Sequence, residues 1–277
     1  MIRCILRTLL PSAIAGACCI MVPHLASGQG QVASSQLPDV GGLRPGVPLA
    51  QAVAQLKAHD GKARLIAAQM IVPNFGDKSM PYALLLAQDM NASEVIVADV
   101  TAPPDAQMVW RISRRVDFPP NKQPLTSDLI AALRQKYGPE SYAIPSVAPT
   151  LIWHYDESGR RAKEGNGLIF KSCTLPGQAM DSGWHQSVFL DGANRKWVEP
   201  PDPLLGIQPG CRNLVTIYAK ILPGTDNAIA TGLIVYDADF PLAAREYQKT
   251  IDAIRGDAEA RRKRELEKAH QQATPSL

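Results

Sequence analysis

The chain has 277 residues and a formal net charge of +3. Phosphate binding needs a surplus of Lys and Arg gathered on one face, so near-neutrality argues against nucleic acid as a partner. The length suffices for one substantial core or two small ones, and no later segment has the ~18 uninterrupted apolar residues of a transmembrane helix.

Residues 1–28 carry Arg3 and Arg7 ahead of a short apolar run broken by Pro11 and Pro23, and end in Ala26-Ser27-Gly28. This pattern predicts a secretory signal peptide cut after Gly28, which leaves a periplasmic or secreted protein of net charge +1. The alternative is an outer-membrane lipoprotein, with Ala15-Gly16-Ala17 preceding an acylated Cys18. Residues 29–47, rich in Gln, Ser, Gly and Pro, predict a flexible leader.

From Pro48, the spacing of Leu49, Ala52, Val53 and Leu56 predicts a short one-sided helix, with Gly61 placed for a left-handed cap. Four runs rich in Val, Ile and Leu follow, at 64–72, 80–88, 93–101 and 107–118, separated by turn formers. They predict an antiparallel meander, in a first α+β module spanning 48–120.

PLTSDLIAALRQKYG (124–138) then restates the opening helix. Leu133 falls on Leu56, Ile130 on Val53, Leu129 on Ala52 and Gly138 on Gly61, with Thr126 or Ser127 available as a cap. Strands are predicted at 150–156, 167–173, 213–222 and 228–240. The expected fold class is therefore α+β: two tandem helix-plus-antiparallel-meander modules, the second spanning 121–240 with an irregular insert at 174–210. A C-terminal helix and tail, 241–277, completes the chain. Asp239 is its N-cap, and Ala243, Tyr247, Ile251 and Ile254 are its docking stripe. Beyond Gly256 it becomes a charged run, including Arg261, Arg262 and Arg264, that reads as a solvated face. The sharper reading is a contact arm for a protein partner or for a membrane surface.

Cys4, Cys18 and Cys19 lie in the leader, so the mature chain keeps Cys173 and Cys211. Outside the cytosol such a pair predicts a disulfide, which would close a loop of ~40 residues and contribute about 3–4 kcal/mol in the chain-entropy model. The spacing of Cys173, His185 and Cys211 fits no zinc pattern, so no metal is expected.

Catalysis needs a nucleophile, a base and a group that orients the base. His154, in W-H-Y-D-E at a strand end with Asp156 beside it, and His185, in D-S-G-W-H-Q-S, are the two candidate bases. Neither has a partner motif such as HExxH or GxSxG. Trp184 and His185 in the insert are better placed as binding residues. No Gly-rich phosphate loop follows a strand, so no cofactor is expected; G-N-G (165–167) and D-G-A-N (191–194) read as hairpin turns.

GLRPGVPLAQAVAQL (42–56), through Gly42, Leu43, Gly46, Val53 and Leu56, resembles the opening signature of the SmpA/OmlA-like outer-membrane assembly lipoproteins. The resemblance implies a helical hairpin on a three-stranded sheet, the fold also used by beta-lactamase-inhibitor proteins. It also implies a non-catalytic role in binding protein at the envelope. Val47 stands where that family has Met, and this chain is more than twice as long. An exported protein-binding or envelope-associated protein is thus the expected function, with an exported hydrolase or metal enzyme using His154 or His185 as the alternative.

Overall fold

The computed structural model describes residues 37–71, 79–88, 92–162, 194–196, 202–205, 207 and 209–272. Helix α1 (Leu49–His59) precedes four strands, β1 (Arg64–Ile71), β2 (Ser79–Ala87), β3 (Glu94–Val100) and β4 (Val109–Asp117). Helix α2 (Thr126–Tyr137) precedes β5 (Tyr142–Ile144), β6 (Thr150–Tyr155), β7 (Asn194–Lys196), β8 (Val215–Pro223) and β9 (Ala230–Asp239). Helix α3 (Phe240–Gln272) follows β9 directly.

All the described strands share one sheet, in the order β5-β6-β8-β9-β4-β3-β2-β1-β7. Eight of them pair antiparallel, and β7 adds in parallel along Gln69–Ile71 of β1. The fold is α+β, and the sheet runs unbroken across the expected boundary near residue 120. There β4 pairs with β9 from Arg111↔Ala238 to Asp117↔Gly232. Gly232 permits the close approach at this end, because a Cβ would stand 2.9 Å from the Val116 carbonyl oxygen.

Alternation along the strands divides the core between the two faces. On one face, Ile112, Trp153, Ile217, Ile221 and Val235 meet Ala52 and Leu56 of α1 and Leu133 and Tyr137 of α2. On the other, Trp110, Tyr236 and Ala238 meet Phe240, Leu242 and Ala243 of α3 together with Leu204, Ile207 and Cys211. A third cluster, which includes Ala83, Leu85, Val95 and Val97, continues that second face over β1, β2 and β3.

Each half is closed by the same backbone contacts. Pro48 bridges Met108, and Leu125 bridges Ile229. The Leu49 N–H donates to the Gln107 carbonyl at 2.9 Å, and the Thr126 N–H to the Ala228 carbonyl at 2.8 Å. Val109 N–H reaches Val47 O at 2.9 Å, as Ala230 N–H reaches Pro124 O at 3.0 Å. Even the register breaks correspond, at Asp99/Val100 before Val100↔Val109 and at Leu222/Pro223 before Pro223↔Ala230.

Several expectations change. Residues 37–47, assigned to the flexible leader, are built into the core: Leu37, Val40 and Leu43 are buried. Gly41 and Gly42 have φ of 62° and 81°, and so turn the chain tightly enough for Val40 and Leu43 to bridge. Composition does not separate such a turn from a linker, since glycine serves both. Helix α1 ends on an extended Asp60 rather than in a left-handed Gly61 cap, whereas Gly138 does take positive φ after α2. The Thr126 hydroxyl does not cap its own helix; it donates to the Asn227 carbonyl at 2.9 Å and fastens α2 to the β8–β9 turn. Helix α1 runs straight into β1, which differs from the helical hairpin that the resemblance implies. The predicted strand 167–173 lies outside the described residues.

Asp239 caps α3 as expected, with its Oδ1 accepting the Leu242 N–H at 2.8 Å. Further along, Thr250 Oγ1 reaches the Pro103 carbonyl and Lys249 Nζ reaches Asp105 at 2.7 Å, which ties the helix to the β3–β4 turn. Leu43→Ala should cost about 2–5 kcal/mol by urea unfolding, as expected for a fully buried leucine. A cost below ~1 kcal/mol, the range of exposed substitutions, would place residues 37–47 outside the core.

Candidate functional site

Of the residues nominated from sequence, His154 is fully buried in β6, and its Nδ1 lies 3.0 Å from Thr216 Oγ1 of β8. Its expected companion Asp156 lies just past the strand. There Asp156 Oδ1 accepts the Ser158 and Arg160 N–H groups at 2.9 and 3.1 Å and holds a tight turn. The Ser158 hydroxyl is the main cause of the lowered pKa of Asp156. His154 and Asp156 therefore serve separate local structures. Among the described residues no group of three or more His, Cys, Asp or Glu stands in position to hold a metal ion. Cys211 is fully buried beside α3. Cys173, Trp184 and His185 lie outside the described residues.

Arg261, Arg262 and Arg264 stand on the outer part of α3. Its inner part buries Phe240, Leu242, Ala243, Ile251 and Ile254, but every residue from 255 to 271 is exposed. At 1.5 Å per residue this exposed part is ~25 Å long. Its acids and bases interleave around the helix, with Arg261 Nε 4.0 Å from Asp257 Oδ2 one turn away. That arrangement keeps a lone helix solvated without giving it a single basic face.

A small polar hollow of about 80 Å³ lies where α1 ends, lined by His59, Asp60, Gln88, Ser93 and Glu94 among others. Its carboxylates already have donors. Glu94 Oε1 meets His59 Nε2 at 3.1 Å and Arg114 Nε at 2.6 Å, and Asp60 accepts Gln88 Nε2 at 2.9 Å. The hollow reads as a clasp between α1 and the neighbouring strands.

The arrangement that sequence reading missed surrounds Asp237. On β9 this residue pairs with Ile112 on one side and Ile217 on the other. It is fully buried, and neither carboxylate oxygen has a hydrogen-bond partner. Burial drives its pKa well above the ordinary carboxylate value; Asp239 and Asp39 add to the rise, and Arg44 opposes it. Above it, Tyr155 Oη donates to the Tyr137 carbonyl at 3.1 Å, and Tyr137 Oη donates to the Asp39 carbonyl at 3.2 Å. Burial, followed by the field of Asp237, raises the pKa of the Tyr137 phenol. Burial opposes ionisation of Asp39, but the Gly42 N–H and the Lys136 ammonium outweigh it and hold that carboxyl low. Trp153 completes the layer, in tilted ring contact with Tyr137 at 5.1 Å and with its Nε1 donating to the Gly138 carbonyl at 2.8 Å.

A signal for this cluster is present in the sequence. Leu233, Val235, Asp237 and Asp239 share one face of a strand, so an apolar alternation turns acidic before the strand ends.

Tyr137→Phe should cost about 0.5–1.5 kcal/mol by urea unfolding, because it removes one hydrogen bond and keeps the ring. Tyr137→Ala, which also empties the contact with Trp153, should cost about 3–5 kcal/mol. Equal costs would mean that the ring is not packed in this layer. Comparison with known proteins gives no relative: no protein-family model, no curated protein and no solved structure matches this chain.

Proposed function

We propose that this chain is an exported, non-catalytic protein-binding protein of the cell envelope, made of two copies of a helix-plus-meander unit, which meets a protein partner through the outer part of α3. The observation that carries the reading is the exposed helical stretch 255–271, continuous with a well-docked inner part. Helix that buries no apolar stripe contributes little to folding, since most helical stability comes from packing. A rigid charged arm anchored at one end is well suited to presenting Arg261, Arg262 and Arg264 to another protein. Interleaved charge favours an equally mixed protein surface over a uniformly anionic membrane.

The leader 1–28 and the resemblance at 42–56 favour export and the envelope, with cleavage near Gly28 and lipidation at Cys18 as the alternative. The duplication rests on the paired bridges, amide–carbonyl bonds and register breaks of the two halves.

Deleting 257–277 should leave the melting temperature nearly unchanged and abolish capture of the partner in crosslinking from envelope extract. Capture of the same proteins by the truncated and full-length forms would overturn the assignment to α3. Mass spectrometry of the exported protein should find Gln29 at the N-terminus and no free thiol at Cys173 or Cys211. An acylated Cys18, or two thiols that alkylate without reduction, would contradict the corresponding part of the reading.

A further inference from the structure

We propose that Asp237 is a pH-sensitive latch. With its carboxyl neutral, the 37–44 turn and α2 lie closed on the sheet; as the carboxyl ionises with rising pH, these two elements lift while the sheet stays intact.

Both oxygens of Asp237 are buried without a hydrogen-bond partner, between Ile112 and Ile217. An ion in such a place loses its hydration and gains nothing comparable, so the site favours the neutral acid. Each packed element contributes little that would change this. Helix α1 buries Ala52 and Leu56. Helix α2 contributes Tyr137 and β6 contributes Tyr155, whose hydroxyls both donate to backbone carbonyls. From β4 comes Arg114, which is joined to Glu94. The 37–44 turn offers Asp39, which is paired with Lys136, and Arg44, the cation that acts on Asp237 directly. On its own strand lies Asp239, a second acid.

The direction of the pH effect follows from the raised pKa. The stability contributed by the neutral acid is fully present below the unfolded value of 3.8 and is lost as pH rises through the folded value. Ionisation must then be relieved by letting water reach the carboxylate. Strand β9 is hydrogen-bonded to β4 on one side and β8 on the other, so separating it would break two ladders. The layer above is held to the sheet by fewer bonds: Tyr155 Oη to Tyr137 O, Trp153 Nε1 to Gly138 O, and the Thr126 N–H and hydroxyl to the Ala228 and Asn227 carbonyls, while Tyr137 Oη and Lys136 Nζ join Asp39 within the layer. Opening follows the weaker connection, as local unfolding does generally.

The test is hydrogen exchange of the full-length mature protein followed by mass spectrometry from pH 4 to 9, with rates corrected for their intrinsic pH dependence. In the wild type, protection of peptides from 37–48 and 126–140 should fall by up to ~tenfold per pH unit as pH rises from the unfolded towards the folded pKa and level off above it, while peptides from β8 and β9 keep theirs. Asp237→Asn should abolish this slope. The infrared band of a neutral carboxyl, still present in the wild type at pH 7 and missing from Asp237→Asn, would support the latch even if that variant folds poorly. Three results would overturn it: protection in the wild type independent of pH, the same slope in Asp237→Asn, or loss of protection in β9 together with α2.

Discussion

The antiparallel pairing of β4 with β9 is the constraint on which the rest of the structure depends. It joins strands from the two halves of the chain through an unbroken ladder, so that neither exposes an edge to solvent. Because the two are antiparallel, residues that face α1 and α2 on one strand face the same way on the other. Both short helices consequently lie on one side of the sheet and share a single core. The opposite side is left to α3, which follows β9 without an intervening loop.

That same seam places Asp237 where it is. Strand β9 is interior in the sheet, covered by α1 and α2 on one face and by α3 on the other, and the acidic side chain midway along it is fully buried. A carboxyl can occupy such a position only while neutral, or at a cost that the surrounding packing must absorb. The tyrosines and Asp39 above it form a polar layer inside an otherwise apolar cluster, joined by backbone carbonyls instead of by ion pairs to the acid itself.

Helix α3 joins two environments in one element. Its inner turns bury a near-complete apolar stripe and fasten to the β3–β4 turn through Thr250 and Lys249. Glu246, almost wholly buried, is joined to Lys249 at 2.9 Å and strengthens the same attachment. The outer turns have no such stripe and depend on helix propensity and charge pairs one turn apart. Among the described residues, docking therefore holds the helix at its inner end, and residues 255–271 are exposed.

Much of the secondary structure was legible in the sequence, because it depends on local period and turn chemistry. The Val-, Ile- and Leu-rich strand runs, the stripes of the two short helices and the cap at Asp239 all follow from spacings of two to four residues. The repeated phrase at 41–61 and 124–138 was visible for the same reason. Four features depended on contacts between residues distant in the chain, and only the tertiary structure decided them. Residues 37–47 proved to be core, because Gly41-Gly42 turns Val40 and Leu43 inward beside Ile96. Thr126 bonds to Asn227 instead of to its own helix. His154 and Asp156 separate into a buried strand position and an exposed turn. Asp237, one acid among 26 Asp and Glu in the sequence, became distinctive only once Ile112 and Ile217 closed on either side of it. A sequence states which residues can alternate, cap or turn; burial and loss of partners arise from what the remainder of the chain brings alongside.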